Sequence, residues 1–188
     1  MSLLAFCEWL AATNGSTALR ESLFMYPLVE STHVLFLLLF VGMTVVWDLR
    51  LLGVVLRDVP VTEMNDRILP WVRAGFVVMV VTGVLLFYAI PIRTYQSVWF
   101  RAKVIFLILA AINIWYFHAR VYPQAAAWDN DARLPQAARR AGLASIVLWA
   151  LIIIAGRFIA YNWFDCDIQP QPGFVNWFAG CVVQPPTN

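Results

Sequence analysis

The chain has 188 residues, of which 62% are hydrophobic and only 13% charged. That balance excludes a soluble globular domain, and the length leaves room for one membrane domain of a few helices but no separate soluble enzyme. A net charge of +2, with no basic run, excludes nucleic acid as a partner.

The chain opens Met1-Ser-Leu-Leu-Ala-Phe-Cys-Glu-Trp9. It has no positive stretch before its apolar part and carries Glu8 inside it, so a cleaved signal peptide is not expected. Leu3, Leu4, Phe6, Trp9 and Leu10 alternate with polar positions and predict a short helix lying on the membrane. Four long apolar stretches follow, at about Leu28–Leu56, Pro70–Ile90, Val98–Tyr122 and Gly142–Tyr161. Each approaches or exceeds the ~20 residues a helix needs to cross a bilayer. Backbone groups in lipid must pair within their own segment, so these spans are helices. The predicted fold class is all-α, an integral four-helix bundle. Residues 1–27 form the interfacial segment, 28–161 the bundle and 162–188 a tail.

Arg57 to Arg67 reads as a polar loop, Pro91 to Gln96 as a short turn, and Pro123 to Arg140 as an Ala-rich, charged connection with a short surface helix. The first and third loops gather Arg50, Arg57, Arg67, Arg120, Arg133, Arg139 and Arg140. The other side has only Arg20, Arg93, Arg101 and Lys103, and the tail has no basic residue. The positive-inside rule then predicts a bacterial inner-membrane protein with both termini periplasmic. Cys166 and Cys181 fall in the tail on the oxidising side, where a disulfide is expected; Cys7 is left over. Trp47, Trp71, Trp99, Trp115, Trp149 and Trp163 read as an interfacial belt. Gly42, Gly75, Gly83, Ala110 and Ala111 read as small residues for close helix packing.

The two histidines of the chain, His33 and His118, both fall in apolar spans, where an ionisable group is costly and defaults to function. On the first span Glu30, His33, Leu37, Val41, Thr44 and Asp48 share one helical face, with polar members at both ends. Arg50, Arg73 and Arg120 have a plain reading as cations snorkelling to lipid phosphates. Arg157, set in Ile152-Ile-Ile-Ala-Gly-Arg157-Phe, is expected to pair with Glu30 or an anionic ligand. The first and third spans run in the same direction, and His33 opens one while His118 closes the other. Their depths differ by roughly 15–17 residues, or ~25 Å, so one haem iron cannot take both.

Three readings follow. Two haem b groups each use one histidine and a second ligand, from Met25, Met43, Met79 or a partner copy in a homodimer, with Arg101, Lys103 or Arg157 pairing with propionates. Alternatively, Glu30 and His33 make an exterior quinol or metal site, with copper a candidate. Lastly, both histidines are structural.

The stretches Tyr26-Pro-Leu-Val-Glu30-Ser-Thr-His33-Val, Trp47-Asp-Leu-Arg-Leu-Leu-Gly53, and Phe100-Arg-Ala-Lys103 through Asn113 to Phe117-His118 resemble a family of uncharacterised bacterial four-span inner-membrane proteins. The resemblance covers roughly residues 20–165. More distantly, the architecture is similar to membrane cytochromes b and the copper-resistance protein D family, which implies intramembrane histidines that bind haem. Those di-haem cytochromes use four histidines, and this chain has two. The expected function is haem b-linked electron transfer from quinol or a membrane partner to a periplasmic acceptor. The alternatives are an accessory subunit of a larger membrane complex and metal handling at Glu30 and His33.

Overall fold

The structure is a computed structural model, and it describes residues 2–129, 131, 134–161 and 164–181. Among the described residues it is all-helical, and four helices are long and apolar enough to cross a membrane. The helices are α1 (Leu3–Ala11), α2 (Asn14–Glu21), α3 (Met25–Leu51), α4 (Val61–Ala89), α5 (Pro91–Tyr95), α6 (Val98–Tyr116), α7 (Ala125–Trp128), α8 (Gln136–Ala160) and α9 (Gly173–Ala179). The long ones are α3, α4, α6 and α8. The packing runs α4–α3–α8–α6, with α3 and α8 at its centre.

Small residues set those approaches. A side chain on Gly142 of α8 would stand 3.0 Å from the Asp48 carbonyl oxygen and 3.2 Å from Leu51, so α3 and α8 nearly touch there. Gly75 of α4 sits equally close to Phe40. Gly42 has open space around it and Ala111 is exposed, so neither serves the packing expected of it. Between α3 and α8 lies a core of Phe40, Val41, Ala110, Trp149 and Ile152. Trp149 is 5% exposed and meets Phe40 edge-on at 4.9 Å. It is a core residue, not part of an interfacial belt. Trp163 lies outside the described residues.

The second span differs from its expected form. Helix α4 begins at Val61, so much of the predicted Arg57–Arg67 loop is helical and Pro70 lies inside α4. An internal proline forfeits one backbone bond. The turns before it are secured independently. Val61 and Met64 are buried, and the Thr62 backbone N–H donates to Asp129 Oδ1 at 3.0 Å. The Thr62 hydroxyl donates to the other oxygen of that carboxylate. Asp129 thus supplies acceptors at the start of α4, where backbone donors are orphaned.

Helix α6 is followed by a π-helical turn, Phe117–Val121. Pro123 has no N–H for the α-helical bond ladder, and the run passes into a 3-10 turn, Tyr122–Gln124, with the proline in its first turn. The widened turn buries Phe117 and Val121 in a cluster with Leu51, Val61, Trp128 and Leu134, and leaves His118 and Arg120 exposed.

The first and last described helices, α1 and α9, lie at one end of the bundle, called here the terminal face; the other is the Arg-rich face. Helix α1 packs on α5, and α9 packs on α6. Thr13 Oγ1 and Tyr88 Oη are 2.9 Å apart, and Ser16 Oγ donates to the Tyr88 carbonyl at 2.7 Å. Gly15 is required because a Cβ there would collide with the Tyr88 hydroxyl. The expected disulfide is present between Cys166 and Cys181. It closes a tail that Arg93 anchors through Asp165 (3.4 Å). Burial pushes the Asp165 carboxyl above its ordinary range, against the pull of Arg93.

Candidate functional site

Three of the four long helices bring polar side chains together below the terminal face, and the fourth contributes a glycine. His33 of α3 lies with Thr82 and Gly83 of α4, and Lys103 of α6 lies beside Gly156 of α8. Counted from the helix ends, these residues are roughly 6–12 Å deep. His33 Nδ1 is 2.8 Å from Thr82 Oγ1. A Cβ on Gly83 would be 3.4 Å from His33 Cε1, so the missing side chain is what lets the ring lie against α4. A Cβ on Gly156 would likewise be 3.5 Å from Lys103 Nζ.

A threonine hydroxyl has one proton to give. Thr82 Oγ1 lies 2.7 Å from the Val78 carbonyl, 3.3 Å from the Met79 carbonyl and 2.8 Å from His33 Nδ1. When the hydroxyl donates to Val78, its oxygen accepts from His33 Nδ1–H, and that tautomer leaves the Nε2 lone pair free. Lys103 is half-buried and within electrostatic reach of His33. Among the described residues no carboxylate lies within ion-pair distance of it. An imidazole lone pair and an ammonium without a counter-charge therefore share one level of the bundle.

The remaining sequence-predicted residues fall elsewhere. Glu30 is exposed, so the polar stripe of α3 turns inward only from His33 onward. Arg157 is exposed on α8; its Nη2 donates to the Tyr161 hydroxyl at 2.9 Å and its guanidinium stacks on that ring, so it does not pair with Glu30. Arg101 is claimed by the tail. It lies 4.7 Å over the Tyr95 ring, its Nε donates to the Tyr95 carbonyl at 3.3 Å, and a Cβ on Gly180 would be 2.7 Å from its Nη2. His118 is exposed beyond the end of α6, and its Nδ1 donates to the Ile114 carbonyl at 3.0 Å.

Lys103 is at the depth of His33, and His118 lies fifteen positions further along the same helical run, or ~22 Å. The depth difference expected from the sequence therefore holds. Of the side chains expected to serve haem, Arg157 is engaged by Tyr161, Met25 is exposed and Met79 packs on the Phe40 cluster, while Arg101 keeps a buried Nη2 without a hydrogen-bond partner. Neither the cavity under α5 nor the groove between α6 and α8 is lined by His33. No group of three or more His, Cys, Asp or Glu side chains suited to a metal ion occurs among the described residues.

Two further polar side chains are buried at the Arg-rich end of α3. Arg50, read as a snorkelling cation, is 2% exposed. Its Nε donates to the Val59 carbonyl at 2.8 Å and its Nη2 to the Asp129 carbonyl at 3.4 Å, clamping the first loop to the third. Asp48 is buried beside Ser145 of α8, with Oδ2 unpartnered.

Residues 20–162 match DUF6644, a family of unknown function. The chain belongs to that family. No curated protein and no solved structure matches the chain. The family match shows no relationship to membrane cytochromes b or to the copper-resistance protein D family.

Proposed function

We propose that this DUF6644 protein is a quinol-binding subunit of a membrane electron-transfer system. In this reading it takes the quinol head group between His33 and Lys103. The observation that carries it is His33, hydrogen-bonded to Thr82 and within electrostatic reach of Lys103, which has no carboxylate at ion-pair distance among the described residues. Quinol oxidation requires a base for the hydroxyl proton and a cation for the oxygen that gains negative charge as the proton leaves. His33 supplies the first and Lys103 the second. Full oxidation to the quinone releases the second hydroxyl proton to water at the terminal face and passes the two electrons, one at a time, to a one-electron metalloprotein acceptor docked there, the periplasmic side by the arginine count. That face exposes Leu23, Phe24, Phe174 and Trp177.

The arrangement of the row supports entry from lipid. Helices α4 and α6 are its outer members, and they meet near the terminal face through Phe87 stacked on Phe100 at 5.7 Å. The reading is tested with purified protein in nanodiscs, titrated with a short-tailed quinone and followed by tryptophan quenching. His33→Gln and Lys103→Met should each weaken binding about tenfold or more. Unchanged affinity in both would sink the proposal. A reduced-minus-oxidised spectrum with b-type haem bands would overturn it in favour of His33 Nε2 as an axial haem ligand.

A further inference from the structure

On the Arg-rich half of the molecule an open groove of about 720 Å³ runs between α6 and α8. Its walls are apolar: Leu109 and Ile112 from α6, Leu143, Ala144 and Val147 from α8. Asn113 also lines it, with one N–H of its Nδ2 donated to the Ala141 carbonyl at 3.0 Å. Arg140, one turn into α8, stands at the mouth. Its hydrogen-bond partner is a neutral amide, Gln136 Oε1 at 3.5 Å, and no carboxylate among the described residues pairs with it. Trp115 and Tyr116 flank the same end and are exposed, the position of an aromatic belt at headgroup level.

We infer that this groove is a binding site for an anionic phospholipid, with one acyl chain along the α6–α8 walls and the phosphate on Arg140. Three features select that occupant. The groove is apolar along its length and cationic only at its mouth. The cation lies where the aromatic pair places the headgroups. The surrounding face carries Arg120, Arg139 and Arg140 without paired carboxylates among the described residues, and a basic pocket between helices at such a face suits an anionic headgroup. The site is separate from His33 and Lys103 and does not depend on the reading given above.

The test uses the full chain purified in detergent and offered equal concentrations of phosphatidylglycerol and phosphatidylcholine, with bound lipid counted by native mass spectrometry. The wild-type chain should retain phosphatidylglycerol preferentially. Arg140→Gln should lower that preference about fivefold, the worth of one surface charge, and Arg140→Lys should restore it. Ala144→Trp, which plugs the groove, should reduce retention of both lipids. An unchanged preference in Arg140→Gln would overturn the assignment, as would Ala144→Trp dissociating a dimer while lipid retention stays constant.

Discussion

Cys7, on α1, is 2% exposed, and burial pushes its thiol above the ordinary range, with the charge of Glu8 acting in the same direction. Only the thiolate attacks alkylating reagents. Maleimide labelling of the folded protein at neutral pH should therefore be at least about tenfold slower than after denaturation; equal rates would show that Cys7 is open. At this scale the sequence was informative about chemistry and weak about direction. His33 was legible because a histidine inside an apolar run is rare and costly. Glu30, one turn away, seemed to share its face, but it is exposed while His33 is half-buried. Arg157 and Arg101 looked free for an anionic ligand because sequence spacing does not show that Tyr161 and Tyr95 lie within reach. Thr82 was missed, although a Thr-Gly pair inside an apolar helix is a readable sign of a helix contact.

Element boundaries depended on contacts distant in sequence. Pro70 suggested a helix start, yet α4 begins nine residues earlier because Asp129, far along the chain, receives its first donors. The π turn after α6 was foreshadowed by Pro123, but its consequence, the outward turn of His118, required the burial of Phe117 and Val121. Close packing at Gly142 was hidden because nothing local marks which glycine faces a neighbour. Gly142→Ala must force α3 and α8 apart and should destabilise the purified protein by about 1–3 kcal/mol, read from detergent or heat denaturation. Gly42→Ala, with open space around it, should cost little. The tail offers a second check. Replacing Cys166 and Cys181 by serine removes the closure of a loop spanning 15 residues, worth about 3 kcal/mol. Hydrogen exchange in α9 should accelerate while exchange in α3 and α8 stays the same. Acceleration spread over the whole bundle would contradict a locally docked tail.

For the molecule as a whole, four apolar runs specified four helices, because lipid permits no other pairing of the backbone. The order of packing was not legible, since it rests on glycine contacts and the Phe40–Trp149 core. The orientation proposed from the arginine count has a direct test. Alkaline phosphatase fused after the last residue should be active, as a periplasmic C-terminus requires, and a fusion in the first loop near Arg57 should be inactive. The reverse pattern would place the His33 site on the cytoplasmic side. The central claim is that His33, oriented by Thr82 and accompanied by Lys103, forms one quinol site. Quinone titration of the wild-type chain beside Thr82→Val and His33→Gln tests it most directly. The account predicts saturable binding, a loss of several-fold in Thr82→Val, and a loss of about tenfold or more in His33→Gln. Binding that is absent from the wild-type chain, or equal in all three, would contradict it.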